Sequence, residues 1–332
     1  MLPFYKIWEN DFTEFRKVTL QNSDFAKGFA MPKRLTSTLL TPQSLLETGD
    51  SSGLISLEAL CQGEWQEQMT GEVSLPALIE LVLRGGLPGM PASVREARAL
   101  IHERIDRFLD DVSTGSNDSH FDRRKMEKVL CTLAKLESTA TKPAAILRHV
   151  EEVEPISRPT LTAYLDLFAR HGLTNNLPAF SPAVSMPVRL KQTEELHLCD
   201  PSVAAALLDL DADALLNNLT LFKRLFHALC VRDLRLYAEK FGAKVSHYQD
   251  YNNRSMDAVI EMPDGSWIGV AIVLGMHEME SAATKLLRLR KSLARNAPTC
   301  TPARVVVICG VGNASYIQPD NVGILALTSL KY

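Results

Sequence analysis

Apolar residues in the first half of the chain recur at helical spacing. Leu75, Leu78, Ile79, Val82 and Leu83 share one face of a helix that Ser74 can cap, with Pro76 near its start. Gly85-Gly86 ends it and Pro88-Gly89 prevents continuation. A second helix is predicted over 91–112, with Leu100, Ile101, Ile105, Phe108 and Leu109 inward, followed by a loop to His120. Three more follow at 122–136, 142–150 and 158–171, the last stopped by Gly172. Residues 173–177 and 188–198 read as extended. Three short helices and a two-stranded hairpin predict a winged helix.

The period then changes. Asp200-Pro201 starts one helix and 220–241 forms a long amphipathic one. Strand-like runs follow at 244–249, 258–261, 267–274, 304–309 and 323–326, with a basic helix over 281–295 between the third and fourth. This order predicts an α/β sheet domain. Nearer the N-terminus, 34–46 alternates and meets Pro42, which predicts a strand and turn. Ser56 caps a short helix to Leu60, and 62–72 is polar enough to be a flexible connection. Met1 to Lys33 shows no sustained period.

Composition adds little beyond this. Hydrophobic residues make up 46% of the 332 residues, enough for a sizeable core, and the net charge of −3 advertises no global affinity for nucleic acid. Six cysteines without a C-x-x-C pair predict free thiols in a reducing compartment. With neither a signal pattern nor a membrane-spanning run, a cytoplasmic location is expected.

The candidate chemistry centres on 254–275, RSMDAVIEMPDGSWIGVAIVLG. It has the shape of a metal-dependent nuclease core: a strand ending near a carboxylate, a Pro-Asp-Gly turn, then a second strand. That second strand should carry an acid and a lysine two residues apart, to bind a divalent ion and orient water. Ala271 and Val273 hold those places, leaving Asp257 as a vestigial catalytic residue. Glu261, Asp250 and His227 are the possible helpers. His227 and His247 could also be replacement ligands, but no spacing singles out a metal site, so none is expected. No Walker A run exists, and Gly310–Ser315 (GVGNAS) reads as a turn. Candidate nucleic-acid contacts are Arg158 and Thr160 on the winged-helix segment, and Arg288, Lys291 and Arg295 on the basic helix.

Several motifs together carry a family resemblance. They are TPQSLLETGDSSGLISL at 41–57, LRGGLPG at 83–89, SRPTLTAYLDLFARHGL at 157–173, LCDPSVAAALL at 198–208, RLFHALCVRDLRLYA at 224–238 and YIQPDNVGILALTSL at 316–330. From about Arg34 onward the chain resembles the later part of bacterial AAA-type ATP-binding proteins with a C-terminal domain of unknown function. The resemblance implies an α/β protein with a mostly helical ATPase remnant over 1–112, a winged helix over 113–200, and a restriction-endonuclease-like domain over 201–332. The family's P-loop core is missing, so no cofactor is expected; ATP and magnesium belong to that core. Leu87 stands in an aromatic place, His227 replaces a helix glutamate, Ser255 replaces the glutamate of a Glu-Val-Asp element, and Tyr248-Gln249-Asp250 replaces Tyr-Arg-Asp.

The resulting expectation is a non-catalytic or truncated relative that binds DNA or a partner protein. The alternatives are a metal-dependent nuclease using Asp257, and a partner subunit of a separately encoded P-loop ATPase.

Overall fold

The computed structural model describes residues 42–65, 67–115, 121–181 and 190–332. Its helices are α1 (Leu57–Gln62), α2 (Leu75–Arg84), α3 (Val94–Gly115), α4 (Arg123–Lys135), α5 (Pro143–Glu151), α6 (Arg158–Arg170), α7 (Pro201–Leu207), α8 (Ala212–Asn217), α9 (Leu219–Lys240) and α10 (Met279–Asn296). The strands are β1 (Ile55–Ser56), β2 (Gln68–Met69), β3 (Lys244–Gln249), β4 (Ser255–Glu261), β5 (Trp267–Gly275), β6 (Arg304–Val311), β7 (Ala314–Ile317), β8 (Val322–Ala326) and β9 (Leu330–Lys331).

Local chemistry sets most helix starts. The side chains of Ser56, Ser74, Asp122, Ser157 and Asp200 accept backbone N–H bonds at the starts of α1, α2, α4, α6 and α7. Pro76, Pro143, Pro159 and Pro201 sit in first turns, where no N–H is needed.

Seven strands form one mixed sheet in the order β2-β7-β8-β6-β5-β4-β3. The β5–β6 and β6–β8 pairs are parallel, and α10 crosses over between β5 and β6. The other pairs are antiparallel. The central strands are apolar on both faces, as strands covered on both sides must be. Val259, Trp267, Val305, Val307 and Ile324 pack with Leu286, Leu289 and Leu293 of α10. On the opposite face Ile260, Ile268, Val270, Val306 and Ile308 join Phe222, Leu225, Leu229 and Leu234 of α9 in a larger core. That core continues without a break into α2–α7. The chain is thus a helical assembly and a mixed α/β sheet sharing a core, with α9 between them.

The turn that follows Pro42 in the strand and turn predicted over 34–46 is present at 45–49, where Ser44 and Glu47 close a local bond and Leu45 donates its N–H to Asp233. The rest of that predicted strand, with Met1–Lys33, lies outside the described residues. Three expectations need correction. Helix α3 runs three residues beyond Val112, with Ser113 and Thr114 bonding the Asp110 carbonyl. The polar stretch 62–72 holds β2, which pairs with β7. The extended 173–177 and 190–198 segments make only isolated bridges, Thr174–Leu198 and Leu177–Glu195, rather than continuous strands; residues 188 and 189 are not described. Past those bridges the chain leaves its partner: Ala179 bridges to His247 of β3, and Leu190 to Asp250 just beyond it.

A buried charged joint fixes the helical layers. Arg232 Nη1 donates to Asp200 Oδ2 at 2.8 Å, while its Nε and Nη2 donate to Asp233 Oδ1 at 2.9 and 2.6 Å. Asp200 also accepts from Gly86 N at 3.0 Å and from Ser202 N and Oγ at 2.9 and 2.6 Å. Asp233 Oδ2 accepts from Leu45 N at 2.8 Å and from the Tyr237 hydroxyl at 3.1 Å. Burial disfavours the Arg232 charge, yet the two aspartates outweigh it and hold the guanidinium protonated. Four of the sequence motifs, around 45, 86, 200 and 232, therefore meet at one point.

Candidate functional site

Strands β4 and β5 pair from Glu261–Trp267 to Ala258–Val270 and then separate. Asp257 stands where they part, and its Oδ2 accepts the Ile272 N–H at 2.7 Å. The carboxylate takes an amide that the ladder no longer pairs. Burial pushes the Asp257 carboxyl above the usual range, opposed by nearby His227 and Lys285 and reinforced by Glu195. Ala271 and Val273 pack against the α10-side core and offer no ligand.

The possible helpers divide. Glu261 lies four residues along β4 from Asp257, about 13 Å for an extended strand, so the two cannot share an ion. Asp250 is fully buried and holds the β3–β4 turn. Its Oδ1 accepts from Asn252 N and Arg254 N, and its Oδ2 from Arg254 Nε at 2.7 Å. His227, by contrast, lies beside Asp257 electrostatically and joins a cluster that sequence reasoning missed.

That cluster is Glu195, His197 and His227, whose ligand atoms lie within 4.8 Å of one another. Glu195 and His197 are two residues apart on an extended segment, so both side chains project to one side. Leu196 and Leu198, on the alternate positions, enter the core. The segment is pinned by reciprocal backbone bonds between Glu195 and Leu177, both 2.9 Å, and by Leu196 N to Thr139 O at 2.9 Å. Glu195 Oε1 lies 2.9 Å from His197 Nε2 and 3.2 Å from His227 Nδ1. The two imidazole rings stack at 5.9 Å with a 23° interplanar angle.

Glu137, just past α4, completes the arrangement. Its Oε1 lies 3.0 Å from His197 Nδ1, and its Oε2 accepts the Leu198 N–H at 2.9 Å. Glu137 is 1% exposed and His197 4%. Burial opposes protonation of His197, but the bonds to Glu137 and Glu195 outweigh it and raise the ring to about 9. Burial alone would raise the Glu195 carboxyl; His197 and His227 reverse that and hold it below the usual range. His247 gives its Nε2 a partner in the Thr193 carbonyl at 3.0 Å, and burial lowers its pKa. It braces the segment and does not join the cluster.

Of the expected nucleic-acid residues, Arg288, Lys291 and Arg295 are exposed on α10, on one side with exposed Lys285. Arg290 donates to the Ala303 carbonyl and is not part of this stripe. Arg158 is exposed at the start of α6, while the Thr160 hydroxyl bonds the Ser157 cap at 2.7 Å. The turn expected at Gly310–Ser315 is confined to Gly312 and Asn313, between β6 and β7. No helix among the described residues is long and apolar enough to cross a membrane.

Residues 75–214 match a family model described as a domain of unknown function, DUF8612. The similar region covers less than half of the chain, from α2 into α8; it includes Glu137, Glu195 and His197 and stops before His227 and Asp257. No curated protein and no solved structure matches the chain.

Proposed function

We propose that this protein is a non-catalytic binding protein, related to the bacterial AAA-type ATP-binding family, that holds the phosphate backbone of DNA. In this reading α4, α5, α6 and the following bridged segments form a winged helix, and the sheet with α9 and α10 is a restriction-endonuclease-like scaffold. The observation that carries it is the state of the strand split. Asp257 is engaged by the Ile272 amide, and the acid-x-lysine places hold core-packed Ala271 and Val273. A metal-dependent nuclease lacks its acid pair there.

The stripe of Lys285, Arg288, Lys291 and Arg295 supplies the binding surface. Its spacing of three to four residues along α10 suits successive phosphates.

The test is duplex DNA binding across a salt series. Binding at low salt is expected, with a log–log slope that falls by about 0.9 for each phosphate contact removed by Arg288→Glu, Lys291→Glu and Arg295→Glu. Absence of binding, or a slope unchanged in the triple variant, would refute the surface. Magnesium- or manganese-dependent DNA cleavage that Asp257→Ala abolishes would establish the nuclease instead.

A further inference from the structure

We propose that Glu195, His197 and His227 form a binding site for one divalent transition-metal ion of the zinc class, with Glu137 positioning His197. The site is distinct from the α10 surface, so it stands or falls independently of DNA binding.

The donor set is specific. Two imidazoles and one carboxylate suit zinc, whereas magnesium prefers an all-oxygen shell with several waters. Three protein ligands leave a fourth tetrahedral place open to water or a small anion.

The geometry is close to that of a formed site. Ligand atoms around tetrahedral zinc, at bonds of about 2.0–2.1 Å, lie roughly 3.3 Å apart. His197 Nε2 and His227 Nδ1 are 2.9 and 3.2 Å from Glu195 Oε1. Those two edges need outward shifts of only a few tenths of an ångström, and the third, between the two ring nitrogens, is within 4.8 Å. His227 Nδ1 is also a buried atom without an aligned hydrogen-bond partner. A buried ring nitrogen in that state costs free energy unless something occupies it. A metal ion would occupy it.

The surrounding shell supports the same assignment. A metal-binding histidine commonly donates its other N–H to a carboxylate, which fixes ring orientation and raises basicity. Glu137 stands on that side of the ring, its Oε1 3.0 Å from His197 Nδ1 without an aligned bond, and its Oε2 is held by the Leu198 amide.

The three ligands come from two parts of the chain. Glu195 and His197 lie on the pinned segment before α7, and His227 lies in the middle of α9. Bound metal would clamp that segment to the helix that carries the sheet.

The experiment uses the full chain, stripped with EDTA and titrated with zinc against a chromophoric chelator. Thermal melting is followed in parallel. One equivalent of zinc should bind at micromolar or lower concentration and raise Tm in proportion to log zinc. Magnesium in excess should not compete. His227→Gln should abolish the stoichiometric site. Glu137→Gln should weaken it by about 10–100-fold, as loss of a positioning carboxylate does. Cobalt should give the intense visible absorption of a tetrahedral centre. If the wild-type protein binds no zinc under these conditions, the proposal fails whatever the variants do. It also fails if His227→Gln, folded by circular dichroism, binds zinc as the wild type does.

Discussion

Replacing Asp200 by alanine removes four accepted hydrogen bonds at once, all of them buried. The Ser202 N–H loses its cap, worth about 1 kcal/mol. Gly86 N and Arg232 Nη1 lose the partner they share; each unsatisfied buried donor costs about 1–3 kcal/mol. Arg232 keeps its bonds to Asp233, so the guanidinium is not left fully unpaired. The expected loss is therefore about 3–5 kcal/mol, in the range found when one member of a buried ion pair is removed. For a chain of this size that lowers Tm by roughly 4–7 °C. Urea denaturation and thermal melting would measure it. The control is Asp211→Ala: Asp211 caps α8 through the Ala214 N–H at 2.8 Å but is exposed and has no role in the joint. It should cost about 1 kcal/mol. If the two variants fall within 1 kcal/mol of each other, the buried joint does not contribute what its geometry indicates.

Gly86→Ala would set its Cβ 2.2 Å from the Gln43 carbonyl and 2.8 Å from Arg232 Nη1, so a loss of more than about 2 kcal/mol is expected in the same melts. Gly85 sits at φ +69° with its missing Cβ facing Ser202 and Asp200, and Gly85→Ala should be at least as damaging. Burial raises the Cys61 thiol to about 12 and the Cys309 thiol to about 11, and pushes Cys199 and Cys230 up as well. Titration with a thiol-specific disulfide reagent at pH 8 should therefore find fewer than two reactive thiols per native chain and six after denaturation. Rapid native labelling of four or more would contradict the packing.

Features decided by nearby residues were legible in the sequence. The Ser74 and Asp200 caps, the Gly85 stop and the β3 strand over 244–249 depend on neighbours within a few positions. The β2 strand did not, because Gln68 and Met69 carry no strand pattern of their own; Ser315 and Ala314, some 245 residues later, pair with them. Motifs around Leu45, Gly86, Asp200 and Arg232 were each visible, but nothing local says that they meet. The same holds for the histidine cluster. Glu195 and His197 alternate outward from a segment rightly read as extended, yet His227 lies 30 residues away on a helix. Only the docking of α9 brings its ring to theirs. Asp257 stood out in the sequence, whereas the amide that engages it belongs to another strand.

The short pairing of β1 with β9 has a consequence for how the chain is made. Ile55 bonds in register with Leu330, and Ser56 with Lys331. A ribosome adding about 5–20 residues per second needs roughly 15–55 s to travel between those partners. Throughout that interval Ile55 and Leu57 have no β9 to settle against, and Leu45 waits for Asp233. The early segment thus cannot complete its pairing until β9 has been made.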